Sequence, residues 1–318
     1  MSRKVTAARM HGPGGGVFLD EVDLADPRHG EVVVEMSMAG VNPLDGYVLA
    51  GRVGGDAAYP RTLGVEGVGE HEGRLVVVFG SGVGIVRDGT WSSAALLPAT
   101  ALVEVPAGVP EEVASACGVV GSTAIRVVDD LARAGRDDRV LVLGASGAVG
   151  SAACSLLSAG GIAVWGQTTS EGKAINIEQR GAVPIIAATP EDLSRMLFGH
   201  VEPTVVLDSL GDAWTAVAVH ALGMGGRLVS YGTSAGVSGE LDLQAIYRKG
   251  ITWYGYGGMA ESQDRLRDAV GRALDAVSQG RLTIVTQEPL PLTRAQEALD
   301  RVSRREGFGK VLLDLRAG

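Results

Sequence analysis

Residues 140–157 read VLVLGASGAVGSAACSLL, and this stretch decides the fold. Its apolar start, VLVL, has the length and branched content of a buried strand. Gly144, Gly147 and Gly150 follow at intervals of three, and small residues then lead into a helical run. Glycine lets the chain turn tightly and lets backbone approach a ligand. A helix that begins just after such a turn offers free N–H groups to an anion. Strand, glycine triplet and helix in this order are the setting of a dinucleotide fingerprint. Its candidate contacts are Gly144, Ser146, Gly147, Ala148, Val149 and Gly150.

Val140 to Ser170 carries no charge over 31 positions, long enough in principle to span a bilayer. Glycines break it into strand, turn, helix and a second strand, IAVWGQ, so it is expected to be buried in a soluble protein. Downstream, strands and helices of about ten residues alternate as far as ITWYGYG (251–257), which predicts a parallel sheet covered on both faces. Upstream, VTAARM, EVVVEM, LVVVFG and LLPATALVEVP read as antiparallel strands of a barrel-like domain. EEVASACGVVGSTAIRVVDDLARAG (111–135) is helical in spacing, with Gly135 as its stop. After Gly258 an amphipathic helix (261–279), a strand near TIVTQEPLPL, a helix from Arg294 and a strand KVLLDL return toward the first part. The expected domains are therefore 1–122 with 258–318, and 123–257.

The chain has 318 residues, formal charge −9, two cysteines and 47 glycines, the last about twice the usual share. Its acidity and scattered basic residues argue against nucleic acid and membrane partners. Cys117 and Cys154 are too few for a disulfide framework or a multi-cysteine metal site, and both read as buried core thiols. The five histidines show no metal spacing. The N-terminus does not read as a secretory signal, and the expected location is the cytoplasm.

Cofactor choice is read about 20 residues beyond the fingerprint. An Asp or Glu there would take the ribose hydroxyls of NAD. The sequence has Gly166, Gln167, Thr168, Thr169 and Ser170, with Lys173 just beyond, and these suit a 2′-phosphate, hence NADPH. No tyrosine has Lys four residues later, which removes the short-chain reductase pattern.

Several stretches are family-like in order and spacing. They are EVVVEMSMAGVNPLDGYVLAG (31–51), TLGVEGVGE (62–70), GSTAIRVV (121–128), VLVLGASGAVGS, VVLDSLG (205–211) and GGRLVSYGTSAG (225–236). Together they resemble the medium-chain dehydrogenase/reductase superfamily over essentially the whole chain, and within it the zinc-independent quinone oxidoreductase (zeta-crystallin-like) branch. The resemblance implies an α/β fold: a Rossmann doubly wound parallel sheet plus a GroES-like β-barrel catalytic domain. It implies hydride transfer from NADPH to a quinone or an α,β-unsaturated carbonyl, and a homodimer paired through ITWYGYG.

The zinc alcohol dehydrogenases have Cys where this chain has Asn42, and His where it has Val65. Valine cannot ligate, so no catalytic zinc is expected. Without a metal, the protein supplies positioning and hydrogen-bond donors. Asn42 and Tyr47, in the stretch matching the family's cleft motif, are the candidate catalytic residues. Asn42 also reads as a turn residue before Pro43, and Tyr47 as a packing residue of a helix. Thr123, Ser209, Tyr231 and Gly232 are further candidate cofactor contacts, and Asp208 is read as ordering the loop after its strand. Trp91 either faces the substrate or packs under the barrel. An enoyl-thioester reductase on the same fold and a catalytically silent NADPH-binding protein remain as alternatives.

Overall fold

A computed structural model describes residues 3–55 and 57–316 of the chain. It divides into two compact units: Met1–Ser122, Glu261–Ser278 and Val285–Gly318 form the first, Thr123–Ala260 and Gln279–Ile284 the second.

The first unit begins with a hairpin, β1 (Arg3–Met10) and β2 (Phe18–Leu24), and continues through β3 (Glu31–Gly40) into helix α1 (Pro43–Leu49). Then come β4 (Arg61–Thr62), β5 (Glu66–His71), β6 (Arg74–Phe79), β7 (Ala94–Pro98) and β8 (Leu102–Glu104). The alternation of VVVEM follows from the half-buried sheet it forms: Val34 and Met36 enter the core while Glu35 faces solvent. β3 is the centre, antiparallel to both β5 and β7. α1 starts where it does because Pro43 fits a first helical turn and Asp45 reaches back to accept a hydrogen bond from the Asn42 N–H at 2.7 Å. Trp91 is fully buried in this unit's core with Leu63, Leu97 and Met10, which settles it as a packing residue.

Residues 111–132 are helical as expected but not uniform. α2 (Glu111–Ala114) is followed by a π-helical stretch Cys117–Gly121, then α3 (Ser122–Ile125) and a second π stretch Arg126–Ala132. The helix stops in a left-handed turn at Arg133, two residues before the expected Gly135.

The second unit holds β9 (Arg139–Leu143), α4 (Ala148–Ala159), β10 (Ala163–Thr168), α5 (Glu171–Glu178), β11 (Val183–Ile186), α6 (Pro190–Leu197), β12 (Val205–Asp208), α7 (Ala213–Ala221), β13 (Arg227–Ser230), α8 (Leu243–Lys249) and β14 (Thr252–Gly255). The strands form one six-stranded sheet in the order β11-β10-β9-β12-β13-β14, with every pairing parallel. Leu141, Leu143, Val206 and Leu228 pack with Leu193 and Leu197 of α6, with Ala218 and Val219 of α7 and with Leu222 just after it. Their neighbours Val140, Val142, Val205, Leu207 and Val229 are also fully buried, so both faces of the sheet are covered. This explains the uncharged run from Val140. None of the described helices is long and apolar enough to cross a membrane.

The return segment adds α9 (Gln263–Ser278), β15 (Leu290–Pro291), α10 (Ala295–Arg304) and β16 (Leu312–Asp314), the last antiparallel to β3. The strand expected near residues 283–292 shrinks to β15 and one bridge, Thr286 to Lys310, because Pro289 and Pro291 have no N–H to give a ladder. Gln279–Ile284, expected with the first unit, belongs to the second. Its Thr283 N–H donates to Ser155 Oγ at 3.0 Å, and Leu282 and Ile284 are buried.

Candidate functional site

Two places concentrate the candidate residues. In the second unit, β10 and β11 extend the sheet to one side of β9, and β12 to β14 extend it to the other. The direction in which strands are added therefore reverses between the parallel neighbours β9 and β12, and a ligand crevice is expected at their carboxyl ends. The glycine turn lies there. Gly144 has φ +70°, and a Cβ on it would sit 2.4 Å from Ser209 Oγ at the end of β12. A Cβ on Gly150 would sit 2.5 Å from the Gly144 carbonyl oxygen. The turn closes through Gly147 N–H to the Gly144 carbonyl at 2.9 Å. Ser146, Ala148 and Val149 are half-buried and Gly147 is exposed at the lip. α4 starts from Gly147 without a side-chain cap and without an acidic residue in its first turn. Its free N–H groups thus face outward with nothing to neutralise their dipole, an arrangement suited to phosphate.

Gln167 clamps this turn, a role its place in the run of small residues did not reveal. Its Oε1 accepts the Gly144 N–H at 3.0 Å and its Nε2 donates to the Ala187 carbonyl at 2.8 Å. Thr168 is buried, whereas Thr169 and Ser170 are exposed at the end of β10 and Lys173 lies in the first turn of α5. Ser209 donates to the Leu143 carbonyl at 2.9 Å, tying the ends of β12 and β9 together. Asp208 orders its loop as expected: Leu210 N–H and Gly211 N–H donate to Oδ1, and Thr215 Oγ1 donates to Oδ2 at 2.6 Å. Gly232 must stay small, since a Cβ there would lie 2.8 Å from the Ser209 carbonyl oxygen. Burial raises the Tyr231 hydroxyl pKa well above its usual value, so it stays protonated. Thr123 is half-buried on α3.

In the first unit, a buried polar cluster forms around Glu66. Asn42 Nδ2 donates to Glu66 Oε1 at 2.9 Å, and Val119 N–H, from the π-helical stretch, donates to Oε2 at 2.7 Å. Lys310 Nζ lies 2.6 Å from Glu66 Oε1 and also donates to Asn42 Oδ1. Asp45 Oδ1 accepts the Val65 N–H at 3.0 Å. Glu66, Asp45, Asn42 and Lys310 are all at most 4% exposed. Sequence reading found Asn42 but missed Lys310. The signal was a lone lysine opening the apolar run VLLDL. Tyr47, on the same α1, is 44% exposed, with Arg52 over its ring at 6.0 Å.

Burial pushes the Asp45 carboxyl up to about 7, against the lowering effects of the Asn42 and Val65 N–H groups and Lys310. An unfolded Asp ionises near about 3.9. Between these values the folded chain keeps a proton that the unfolded chain has lost. The stabilisation is therefore full at low pH and disappears as pH rises through about 7. Calorimetric melting across this window should show the wild type losing its advantage over Asp45→Asn as pH rises. A difference that does not vary with pH would refute the buried proton.

Cys117 and Cys154 are both buried; burial raises the Cys117 thiol far above its usual value and pushes Cys154 up to about 12. Neither is a nucleophile at neutral pH.

Comparison with known proteins converges on one family. Residues 180–313 match the family model described as zinc-binding dehydrogenase. Quinone oxidoreductase 1 of Escherichia coli is 27% identical, covering 97% of this chain and 99% of the relative. These matches support the quinone oxidoreductase branch of the medium-chain dehydrogenase/reductase superfamily. The six-stranded sheet is the Rossmann fold of that superfamily, and the first unit its GroES-like fold. Human mitochondrial enoyl-[acyl-carrier-protein] reductase is 26% identical over 91% of this chain and 83% of its own length. The crystal structure of Escherichia coli quinone oxidoreductase complexed with NADPH superposes with TM-score 0.83 at 25% identity, covering 97% of this chain and 99% of that one.

The groups this superfamily implies fit unequally. The glycine turn fits a dinucleotide, because the two places where a Cβ would strike backbone or Ser209 lie under a turn that leaves helix N–H groups free. A zinc ion does not fit the residues at Asn42 and Val65. Among the described residues no group of three His, Cys, Asp or Glu could hold a metal, and an ammonium already sits on Glu66.

Proposed function

We propose that the chain is an NADPH-dependent oxidoreductase that delivers hydride to a quinone or an α,β-unsaturated carbonyl without a catalytic metal. The observation that carries this reading is the glycine turn at the carboxyl ends of β9 and β12, held by Gln167 and Ser209 beneath the uncapped start of α4. The nucleotide contacts are Gly144, Ser146, Gly147, Ala148, Val149, Gly150, Ser209, Tyr231 and Gly232, with Thr123 near the nicotinamide. Thr168 supports the strand end from inside, while Thr169, Ser170 and Lys173 take the 2′-phosphate. The absence of Asp and Glu from 166–170 supports NADPH over NADH.

Tyr47 is the donor to the reduced acceptor, on the strength of its exposed ring. Asn42 shifts from donor to positioning residue, because its amide is spent on Glu66 and Lys310. A homodimer would cover the free edge of β14, where Trp253 is 41% exposed; Tyr247 and Leu243 of the preceding helix α8 are exposed as well. A thioester-linked enoyl acceptor is the second reading, favoured by the human relative.

Separate titrations with NADPH and NADH should give NADPH the lower Kd by about tenfold or more, a charge-assisted contact to the 2′-phosphate being worth at least that. Equal or tighter NADH binding would overturn the cofactor assignment. Oxidation of NADPH by quinones, enones and enoyl thioesters then names the acceptor class. Tight NADPH binding with no turnover on any of them would leave a binding protein, not a reductase.

A further inference from the structure

The Glu66 cluster is a built site, and its centre is a cation. Lys310 enters it from the return segment, where its N–H donates to the Val285 carbonyl at 2.7 Å and its carbonyl accepts the Gln287 N–H at 2.8 Å. The backbone is thus fixed on both sides of a side chain that is only 4% exposed. Two glycines make room for the pair. A Cβ on Gly40 would lie 2.5 Å from Glu66 Oε1 and 2.8 Å from Lys310 Cε, and one on Gly118 would lie 2.8 Å from Glu66 Oε2. The carboxylates of the cluster have further donors: Glu66 Oε1 also takes Asn42 Nδ2 and its Oε2 takes the Val119 N–H, while the neighbouring Asp45 takes the N–H groups of Asn42 and Val65.

A buried ammonium is tolerated only against an anion, and a buried carboxylate only against a cation and donors. Glu66 and Lys310 meet both conditions for each other. A divalent ion brought to the same oxygens would meet a positive charge within a few ångströms in a medium that screens poorly. We infer that Lys310 is the built-in cation of this site, a tethered ammonium seated between Glu66 and Asn42 in the place of a metal ion. The site is then metal-independent by construction, and it becomes a small-cation site if the tether is removed. This inference stands on the first unit alone and does not depend on the nucleotide or acceptor assignment.

The test removes the tether and supplies the charge. Lys310→Ala should lower the melting temperature by roughly 10 °C, the effect of stranding a buried carboxylate in a domain of this size. Methylammonium should recover part of that loss, while tetramethylammonium and sodium chloride at equal ionic strength should not, and none should move the wild type. An unchanged melting temperature in Lys310→Ala, or a recovery equal for all three salts, would overturn the inference.

If Lys310→Ala does not fold, the uncharged pair Glu66→Gln/Lys310→Met decides. Folding within a few degrees of the wild type supports the assignment. Failure to fold counts against it, because a pair whose role is mutual neutralisation is replaceable by neutral groups of similar shape. Wild-type protein dialysed against zinc supplies an independent arm. One zinc per chain that is lost in Glu66→Gln would show a metal in the place assigned to the ammonium.

Discussion

Gly150→Val should weaken NADPH binding on the order of 100-fold, about 2.8 kcal/mol, the scale of losing one or two charge-assisted hydrogen bonds to a phosphate. The contact at fault is backbone against side chain. The new Cβ would lie 2.5 Å from the Gly144 carbonyl oxygen and 2.8 Å from Ala145 Cα, and no rotamer relieves either. The turn must move away from the start of α4, so the N–H groups and the glycine backbone cease to converge on one phosphate. Gly271→Ala is the control: it lies within α9, and a Cβ there meets nothing within 4 Å. Fluorescence or calorimetric titration of NADPH, with circular dichroism to confirm folding, reads the result. Wild-type affinity in folded Gly150→Val would sink the assignment of this turn as the nucleotide site.

Trp91→Ala should destabilise the protein by about 3–5 kcal/mol, the range for deleting a large aromatic from a packed core. The indole is fully buried, and Gly64 is glycine because a Cβ there would sit 2.3 Å from Trp91 Cδ1. Its backbone also bridges strands, with Trp91 N–H donating to the Leu63 carbonyl at 2.9 Å and Ala8 N–H to the Trp91 carbonyl at 2.8 Å. Truncation leaves those bonds in place and opens a cavity that the surrounding strands cannot close. A fall in Tm of roughly 10 °C follows for a chain of this size. A Trp91→Ala variant that melts like the wild type but raises KM for the acceptor would return this residue to the substrate surface.

Much of the architecture was legible in the sequence, for reasons that differ by region. The second unit was readable almost element by element because parallel strands buried on both faces are uninterrupted apolar runs, and each glycine or proline between them marks a turn. VLVLG, VVLDSLG and GRLVSYG announce strands whose carboxyl ends lie side by side, and the glycine triplet follows the first of them. The first unit was read less well. Its edge strand β2, FLDEVDL, is half charged, and β15 is two residues carrying a proline, so neither stands out from a loop. The helix at 111–132 was recognised by spacing, but spacing does not show its π-helical turns. The first of those turns lies where the Val119 N–H meets Glu66, a contact between residues 53 positions apart, with Gly118 leaving room for the carboxylate.

The candidate site divides the same way. The glycine turn is local chemistry: a few consecutive residues and their preferred dihedrals suffice to predict it. Sequence alone determined the two-part α/β organisation, the glycine turn between its first strand and helix, and the residue types at Asn42 and Val65, because each rests on residue types and near-neighbour spacing. Only the tertiary structure decided that Trp91 is core, that Gln167 clamps the turn and that the Asn42 amide is spent. It alone placed Lys310 on Glu66, 244 positions earlier in the chain. A buried charge pair is set by which distant segments share one low-dielectric space, and nothing in the local pattern of either segment carries that information.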